Sequence, residues 1–168
     1  MPERRNIEGM YVFRCRRCHA DLTGPLREVA LPDEDDAPLP FELPEGQDEC
    51  PQRMDVGCFA FDPPPLQAQH LVPTGRGAIR IPAFTKVDGV LVNQGDAPGL
   101  ARVTLRGRLN GCCGLDGCDG PNLQCRFCTA EVAVERSDCW TPQQVTFVAR
   151  AVEFVLAPPA EHGEATRG

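Results

Sequence analysis

The stretches Cys15-Arg16-Arg17-Cys18 and Cys125-Arg126-Phe127-Cys128 decide how this chain folds. Two residues between cysteines is the spacing of a metal knuckle, a tight turn from which both sulfurs can reach one ion. Two knuckles complete a tetrahedral site of four thiolates, the arrangement typical of structural zinc. We therefore predict a bound zinc ion (Zn²⁺) whose ligands are Cys15, Cys18, Cys125 and Cys128.

Residues 19 to 124 lie between the two knuckles, a far longer gap than that of a simple zinc ribbon. A site shared by both knuckles requires the chain to fold so that its N-terminal hairpin lies beside its C-terminal one. The metal would then staple the whole domain, and zinc binding would be coupled to folding.

A rival arrangement of the cysteines is local. The Gly-rich residues 110–128 can bend tightly enough to hold one ion by themselves, which leaves the N-terminal cysteines for a second ion. The first set would be Cys113, Cys118, Cys125 and Cys128, and the second would be drawn from Cys15, Cys18, His19, Cys50 and Cys58. For Cys50 and Cys58, burial as small apolar side chains is a simpler interpretation than metal binding.

The composition limits the classes of function. The chain of 168 residues carries a net charge of −7, which argues against sequence-independent binding of nucleic acid. It has no run of 18 apolar residues and no apolar segment directly after residues 1–6, so we expect neither a membrane span nor a secretory signal. In the cytoplasmic location that this implies, the ten cysteines are expected to be metal ligands or redox groups rather than disulfides.

Alternating and β-branched segments predict a mainly β fold, a single domain of antiparallel sheets over residues 1–157 followed by a flexible tail at 158–168. Residues 141–156 fit either a helix that begins with a capping box or two strands, and their β-branched and aromatic content favours strands. The other strands are expected at 10–14, 26–31, 78–82, 101–109, 131–135 and, as a hairpin, at 85–92.

Residues 32–52 are predicted to form a Pro-rich acidic loop. Prolines interrupt this stretch repeatedly, and residues 33–36 are a block of four acidic side chains. Proline excludes both a helix interior and a central strand, so we expect a solvated and mobile loop.

The order of elements, with one knuckle near each end of a β-rich chain, resembles the β-tent group of zinc domains. That group includes the Yippee and cereblon-type domains and the methionine-R-sulfoxide reductases. The resemblance rests on Cys15, Cys18, Cys125 and Cys128, and it implies a zinc-stapled β fold. The chain lacks the tryptophan cage of the cereblon-type domains, since Trp140 is its only tryptophan. Residues 111–140 also resemble part of an uncharacterised bacterial zinc-binding family.

The cysteines outside the knuckles are the basis of an alternative hypothesis for the function. Cys139 follows the second knuckle, as the catalytic cysteine of the sulfoxide reductases does, but its neighbours are Asp138 and Trp140. A thiol-dependent oxidoreductase would use Cys139 or one of Cys112, Cys113 and Cys118. The simpler interpretation is that Cys139 and Trp140 pack in the core.

A closed site of four thiolates leaves no position for water or substrate, which favours a structural role. The leading hypothesis is therefore a zinc-stabilised binding or interaction module that has no catalytic residues. Its expected partner is a protein or a small molecule.

Overall fold

The structure, a computed structural model, describes residues 9–62, 69–74, 77–82 and 89–158. Within these ranges the chain is mainly β, as predicted, and its only helical segments are 3₁₀ turns at Pro40–Glu42, Gln94–Asp96, Arg106–Arg108 and Ala149–Ala151. The strands are β1 (Met10–Cys15), β2 (Leu26–Glu28), β3 (Cys58–Asp62), β4 (Gln69–Thr74), β5 (Gly77–Pro82), β6 (Gly89–Val92), β7 (Leu100–Arg102), β8 (Leu123–Cys125), β9 (Glu131–Arg136), β10 (Gln144–Val148) and β11 (Val152–Leu156).

Nine of these strands form one sheet in the order β11-β1-β2-β3-β6-β10-β9-β8-β7, and β4 and β5 pair with each other. The β2–β3 pair is parallel, whereas the other pairs are antiparallel. Each knuckle follows a strand that lies next to an edge, β1 at one end of the sheet and β8 at the other. In the part of the chain that is described, no helix has the length and apolar character needed to cross a membrane.

The long sheet is curled, so that its two ends approach each other. The amide of Gly99, just before the edge strand β7, donates a hydrogen bond to the carbonyl oxygen of Leu22, which follows the first knuckle (3.0 Å). Two segments at opposite ends of the strand order are therefore in contact.

Aromatic side chains fill the inside of the curl. The ring of Phe13 on β1 packs edge-to-face against Phe59, Phe147 and Phe154, with centroids 5.2, 5.4 and 4.7 Å apart. Phe13 and Phe147 are fully buried. Edge-to-face pairs of this kind add to the free energy gained by burying apolar area, so this cluster fixes β1 against the centre of the sheet.

Most strand predictions are confirmed. The strands expected at 10–14, 26–31, 78–82 and 131–135 correspond to β1, a shortened β2, β5 and β9. Residues 141–156 hold β10 and β11 rather than a helix. The hairpin predicted at 85–92 is wrong, because Gly89–Val92 forms β6, whose two neighbours are β3 and β10. Residues 85–88 lie outside the described residues, and so do the last ten residues of the tail.

The strand predicted at 101–109 is confirmed only at residues 101 and 102 and is wrong beyond them. The edge strand β7 ends at Arg102, and a 3₁₀ turn follows at Arg106–Arg108. The partner of β7 is β8, which is only three residues long, and the pairing ends one residue beyond β7, where the amide of Val103 donates to the carbonyl oxygen of Asn122 (2.9 Å). Leu105, which the alternation placed on an apolar face, is 54% exposed.

The acidic loop at 32–52 is irregular, as predicted, but its acidic block is anchored rather than wholly solvated. The guanidinium of Arg53 is buried and donates hydrogen bonds to the carbonyl oxygen of Pro32 (2.7 and 3.2 Å) and to Glu34 (3.4 Å). Arg136 on β9 also binds Glu34 (3.0 Å). The start of the loop is therefore held through the carbonyl oxygen of Pro32 and the carboxylate of Glu34.

Candidate metal centre

The first knuckle follows directly from the end of β1. The amide of His19 donates to the carbonyl oxygen of Cys15 (2.8 Å), and the amide of Cys15 donates to that of Ala20 (2.9 Å). His19 adopts a left-handed backbone conformation with a φ of 61°, which reverses the chain within the turn.

The second knuckle, between β8 and β9, repeats this backbone geometry. The amide of Thr129 donates to the carbonyl oxygen of Cys125 (2.9 Å), and the amide of Cys125 donates to that of Ala130 (2.8 Å). The φ of Thr129 is also 61°. The two turns are thus the same structural unit, built from sequences that share only the cysteines, one arginine and one alanine.

The four knuckle sulfurs converge on one point. The Sγ atoms of Cys15 and Cys128 are 3.6 Å apart, those of Cys18 and Cys125 are 3.7 Å apart, and all four lie within 4.8 Å of one another. With a Zn–S bond of about 2.3 Å, two ligands of a tetrahedral ion stand about 3.8 Å apart. The spacing therefore fits a single tetrahedral ion, and these four cysteines can hold a metal.

Backbone amides are directed at the cluster. The N–H of Ala20 hydrogen bonds the sulfur of Cys18, and the N–H of Ala130 makes the equivalent bond to Cys128. Such bonds favour the thiolate form that binds metal. Cys15 and Cys125 are buried, Cys128 is half-buried and Cys18 is exposed, so the cluster reaches the surface on one side.

The pKa values within the cluster diverge. Burial is the main cause that raises the pKa of Cys128 to about 12. Burial also acts to raise the pKa of Cys125, but the N–H groups of Cys128 and Phe127, together with the neighbouring thiols, outweigh it and lower that pKa. Cys125 therefore releases its proton more readily than Cys128, and a bound cation would favour the thiolate form of both.

The structure does not assemble the local set of ligands. Cys125 and Cys128 face the N-terminal knuckle, whereas the thiol of Cys118 lies against the carbonyl oxygen of Asp116 (3.8 Å). Cys113 belongs to a different group of thiols, described below.

The N-terminal set does not form either. Cys58 is buried in a small apolar cluster with Met54, Ala60 and Leu91, as its interpretation as a small hydrophobe predicted. Cys50 is half-buried, and its thiol contacts the carbonyl oxygen of Pro38 (3.4 Å). His19 does not join a group of metal ligands; its Nδ1 is hydrogen bonded to Glu153 (3.2 Å).

A second group of thiols was missed as a group by the sequence interpretation. The Sγ atoms of Cys112, Cys113 and Cys139 lie within 4.8 Å of one another, and we call them the trithiol cluster. Backbone hydrogen bonds from Ser137 and Asp138 to the carbonyl oxygen of Leu115 (2.8 and 3.1 Å) bring the two segments together. The adjacent cysteines in a Gly-rich turn were a signal, but their pairing with Cys139 depends on this tertiary contact.

Asp138 holds the trithiol cluster in place. Its carboxylate accepts hydrogen bonds from the backbone amides of Cys113, Cys112, Gly114 and Cys139, at 2.7, 3.1, 3.2 and 2.9 Å. These donors lower the pKa of Asp138 to about 2. The carboxylate is therefore ionised, and its oxygens are engaged by the backbone on both sides of the cluster.

The thiol of Cys139 is a weak nucleophile in this environment. A hydrogen bond with Cys113, burial and the charge of Asp138 raise the pKa of Cys139 to about 12. A reactive cysteine requires the opposite shift, which a nearby cation would supply.

The prediction that Cys139 and Trp140 pack in the core is wrong for the tryptophan. Trp140 is 65% exposed and stacks on Phe41, which is 48% exposed, with ring centroids 4.3 Å apart. The acidic loop supplies Phe41, whose amide binds the carbonyl oxygen of Cys139 (3.2 Å). An exposed aromatic pair therefore lies directly beside the trithiol cluster.

Comparison of the chain with protein-family models, curated proteins and solved structures finds no match. What the two groups of cysteines can do follows from their chemistry. Four convergent sulfurs can hold a metal ion in a closed site, whereas three thiols at the surface can bind a metal or exchange disulfides.

Proposed function

We propose that this chain is a zinc-stabilised binding module, in which Zn²⁺ is bound by Cys15, Cys18, Cys125 and Cys128. The observation that carries the proposal is the convergence of four sulfurs at tetrahedral spacing from two knuckles at opposite ends of the sheet. Thiolates select soft or borderline ions, and zinc is the usual occupant of tetrahedral four-sulfur sites.

The site is structural in this proposal because four thiolates fill the tetrahedral coordination of zinc. No position remains at which zinc could activate a water molecule or polarise a substrate. The metal joins the segment after β1 to the segment after β8, and so stabilises the curl of the sheet. Function then belongs to the surface that the curl supports.

Exposed aromatic side chains support a binding role for that surface. Trp140 and Phe41 form a stacked pair open to solvent, and Phe127, at the tip of the second knuckle, is 65% exposed. Aromatic residues are enriched in protein interfaces, where they supply large contact areas at a low entropic cost. A protein partner that covers such side chains suits these features.

A thiol-dependent oxidoreductase that resembles the methionine sulfoxide reductases is the second candidate. The observation in its favour is the convergence of Cys112, Cys113 and Cys139 outside the knuckles. The raised pKa of Cys139 weighs against it, since the thiolate is the nucleophilic form. The binding module is therefore the better supported proposal.

Elemental analysis of the full chain tests the zinc site. A Cys139→Ser background removes the trithiol cluster, and one zinc per chain is expected there. Adding Cys118→Ser should leave that zinc in place, because this thiol is exposed and outside both groups, whereas adding Cys18→Ser should remove it. If Cys18→Ser does not fold, loss of thermal stability on chelation of the parent supplies the same information. A Cys139→Ser chain that is folded but holds no zinc would overturn the proposal.

Labelling of the native chain with iodoacetamide separates the module from the enzyme. Slow alkylation at every thiol, combined with no reduction of methionine sulfoxide by dithiothreitol in its presence, is expected for the module. A single rapidly labelled cysteine outside the knuckles, together with turnover, would favour the oxidoreductase.

A further inference from the structure

We propose that the trithiol cluster is a second metal site, open and exchangeable, in which Cys112, Cys113 and Cys139 bind a thiophilic d¹⁰ ion, Zn²⁺ or Cu(I). It is independent of the knuckle site and shares no ligand with it. Thiolate sulfur is the ligand type that selects these ions.

The distances between the three sulfurs are the first support for this inference. The sulfurs of the adjacent Cys112 and Cys113 are 3.8 Å apart, close to the 3.6 and 3.7 Å measured within the knuckle cluster. The sulfur of Cys139 lies within 4.8 Å of both. Three sulfurs at this spacing outline one face of a tetrahedron around an ion with bonds of about 2.3 Å.

The backbone around the thiols is held in place before any ion binds. The carboxylate of Asp138 receives amide hydrogen bonds from the two adjacent cysteines and from Cys139, so it fixes the two halves of the cluster relative to each other. Gly114 packs so tightly on the backbone of Ser137 that an added Cβ would overlap its carbonyl oxygen. A metal site with a preorganised backbone loses less conformational entropy on binding.

The coordination would be incomplete, which distinguishes this site from the knuckles. Among the described residues, no fourth histidine, cysteine or carboxylate ligand joins the three sulfurs. Cys112 and Cys113 are exposed, so an ion can enter from solvent. Zn²⁺ would carry a water or an exogenous ligand at its open position, whereas Cu(I) would be held by the three sulfurs.

Binding needs no oxidant or reductant. Three thiols lose three protons to solvent, three S–metal bonds form, and the oxidation state of the ion is unchanged. With Zn²⁺ the ion and its three thiolates carry a formal charge of −1, and with Cu(I) the charge is −2.

Trp140 provides an intrinsic reporter for this site. It is the only tryptophan in the chain, it follows Cys139 directly, and its indole stacks on Phe41. The knuckle ion is bound by other parts of the chain. Metal binding at the trithiol cluster should therefore change tryptophan fluorescence, and loss of metal from the knuckles in a folded chain should not.

The experiment uses the reduced full chain and titrates Zn²⁺, and separately Cu(I), while both fluorescence and bound metal are followed. Two ions per chain are expected at saturation with Zn²⁺. The second is removed rapidly by a chelator, and its removal reverses the fluorescence change. The Cu(I) arm shows which ion the open site prefers.

Cys112→Ser/Cys113→Ser should reduce zinc from two ions to one per chain and abolish the fluorescence response. Cys118→Ser is the matched control and should preserve both. A thermal melt of the double variant confirms that it is folded. If that variant does not fold, Cys139→Ser gives the same readout.

One zinc per chain in the metal-saturated wild type, or two ions retained by the double variant, would overturn the second site. If the reduced thiols of the cluster form a disulfide with each other although excess metal is present, the second site is overturned as well. Loss of zinc from the knuckles alone would leave the fluorescence titration intact, so failure of the first proposal is distinguishable from failure of this one.

Discussion

At the scale of single residues, one carboxylate organises a surface at which two adjacent cysteines meet a third from a distant segment. Asp138 is only 5% exposed, and its oxygens are surrounded by four backbone amides. Hydrogen bonds from N–H groups to an ionised acceptor are stronger than those between neutral groups. The geometry of the trithiol cluster therefore depends on a side chain that supplies none of its sulfurs.

Replacing Asp138 with asparagine should weaken metal binding at the trithiol cluster and lower the melting temperature. The neutral amide is a poorer acceptor, and its NH₂ group would face backbone donors. We expect affinity for the second ion to fall by about tenfold or more, a loss typical when groups that orient ligands are removed. Fluorescence titration measures the effect, and Asp116→Asn, which alters a local turn bond to Cys118, is the control. Equal affinities of the two variants would contradict this role.

Arg53, whose guanidinium is buried, is the second residue whose replacement should lower the stability of the fold. Its side chain is 4% exposed and lies 3.4 Å from Glu34 and 3.6 Å from Asp62, and it also donates to Gln144 (3.2 Å). Without Arg53, the carboxylate of Asp62, whose side chain is only 12% exposed, loses this cation, whereas Glu34 keeps its pair with Arg136. Breaking a buried ion pair typically costs about 3 kcal/mol or more. Arg53→Met should therefore lower the free energy of unfolding by about 3 kcal/mol, as measured in urea.

The matched control for Arg53 is an arginine in a surface pair. Arg102 binds Glu135 (3.2 Å), but its side chain is 60% exposed. Such pairs contribute about 1 kcal/mol or less, so Arg102→Met should have a small effect. Similar losses in the two variants would show that the buried network does not anchor the acidic loop.

At the scale of elements, each knuckle is docked on the segment that leads into an edge strand. The amide of Arg16 donates to the carbonyl oxygen of Ala151, just before β11, and the amide of Arg126 donates to that of Gly99, just before β7 (3.0 Å in both cases). The repeat therefore extends beyond the two turns to the strands that support them.

Gly99→Ala tests how closely the two ends of the sheet approach. A Cβ at this position would lie 2.5 Å from the Cα of Leu22 and 2.7 Å from the carbonyl oxygen of Asp21, both backbone atoms that cannot rotate away. We expect a loss of about 1–3 kcal/mol in the free energy of unfolding, the usual range for overpacking. Gly107→Ala is the control because nothing lies within 4 Å of its added Cβ. Equal stability of the two variants would mean that the ends of the sheet are not in contact.

Local patterns predicted the elements better than their extents or partners. The β-branched run in 141–156 identified β10 and β11 correctly, since side-chain shape acts within a segment. The alternation at 101–109 failed because the length of an edge strand depends on its neighbour, which lies far along the chain. The two knuckles were legible from spacing alone, whereas the trithiol cluster requires the contact between Leu115 and Ser137.

At the scale of the whole molecule, the knuckle cysteines act where the curled sheet closes. Cys15 ends β1 and Cys125 ends β8, and these strands lie near opposite ends of the strand order. The two sulfurs nevertheless lie within 4.8 Å of each other. Without a cation, this closure brings four thiols together and gains no coordinate bonds. We therefore expect bound metal to contribute to the folding of both ends of the sheet at once.

Metal removal should open the molecule from its ends rather than from its middle. Native-state hydrogen exchange on the chelated chain should show early loss of protection at the amides of Cys15 and Cys125, which close the two knuckle turns. The pairs that β6 forms with β3 and β10 lie at the centre of the sheet and should keep their protection longer, because the buried apolar side chains there do not depend on the ion. Readdition of Zn²⁺ should restore both knuckles together. Loss of protection at one knuckle alone would contradict a shared ion, since a single tetrahedral centre bound by both turns cannot be removed from one of them only.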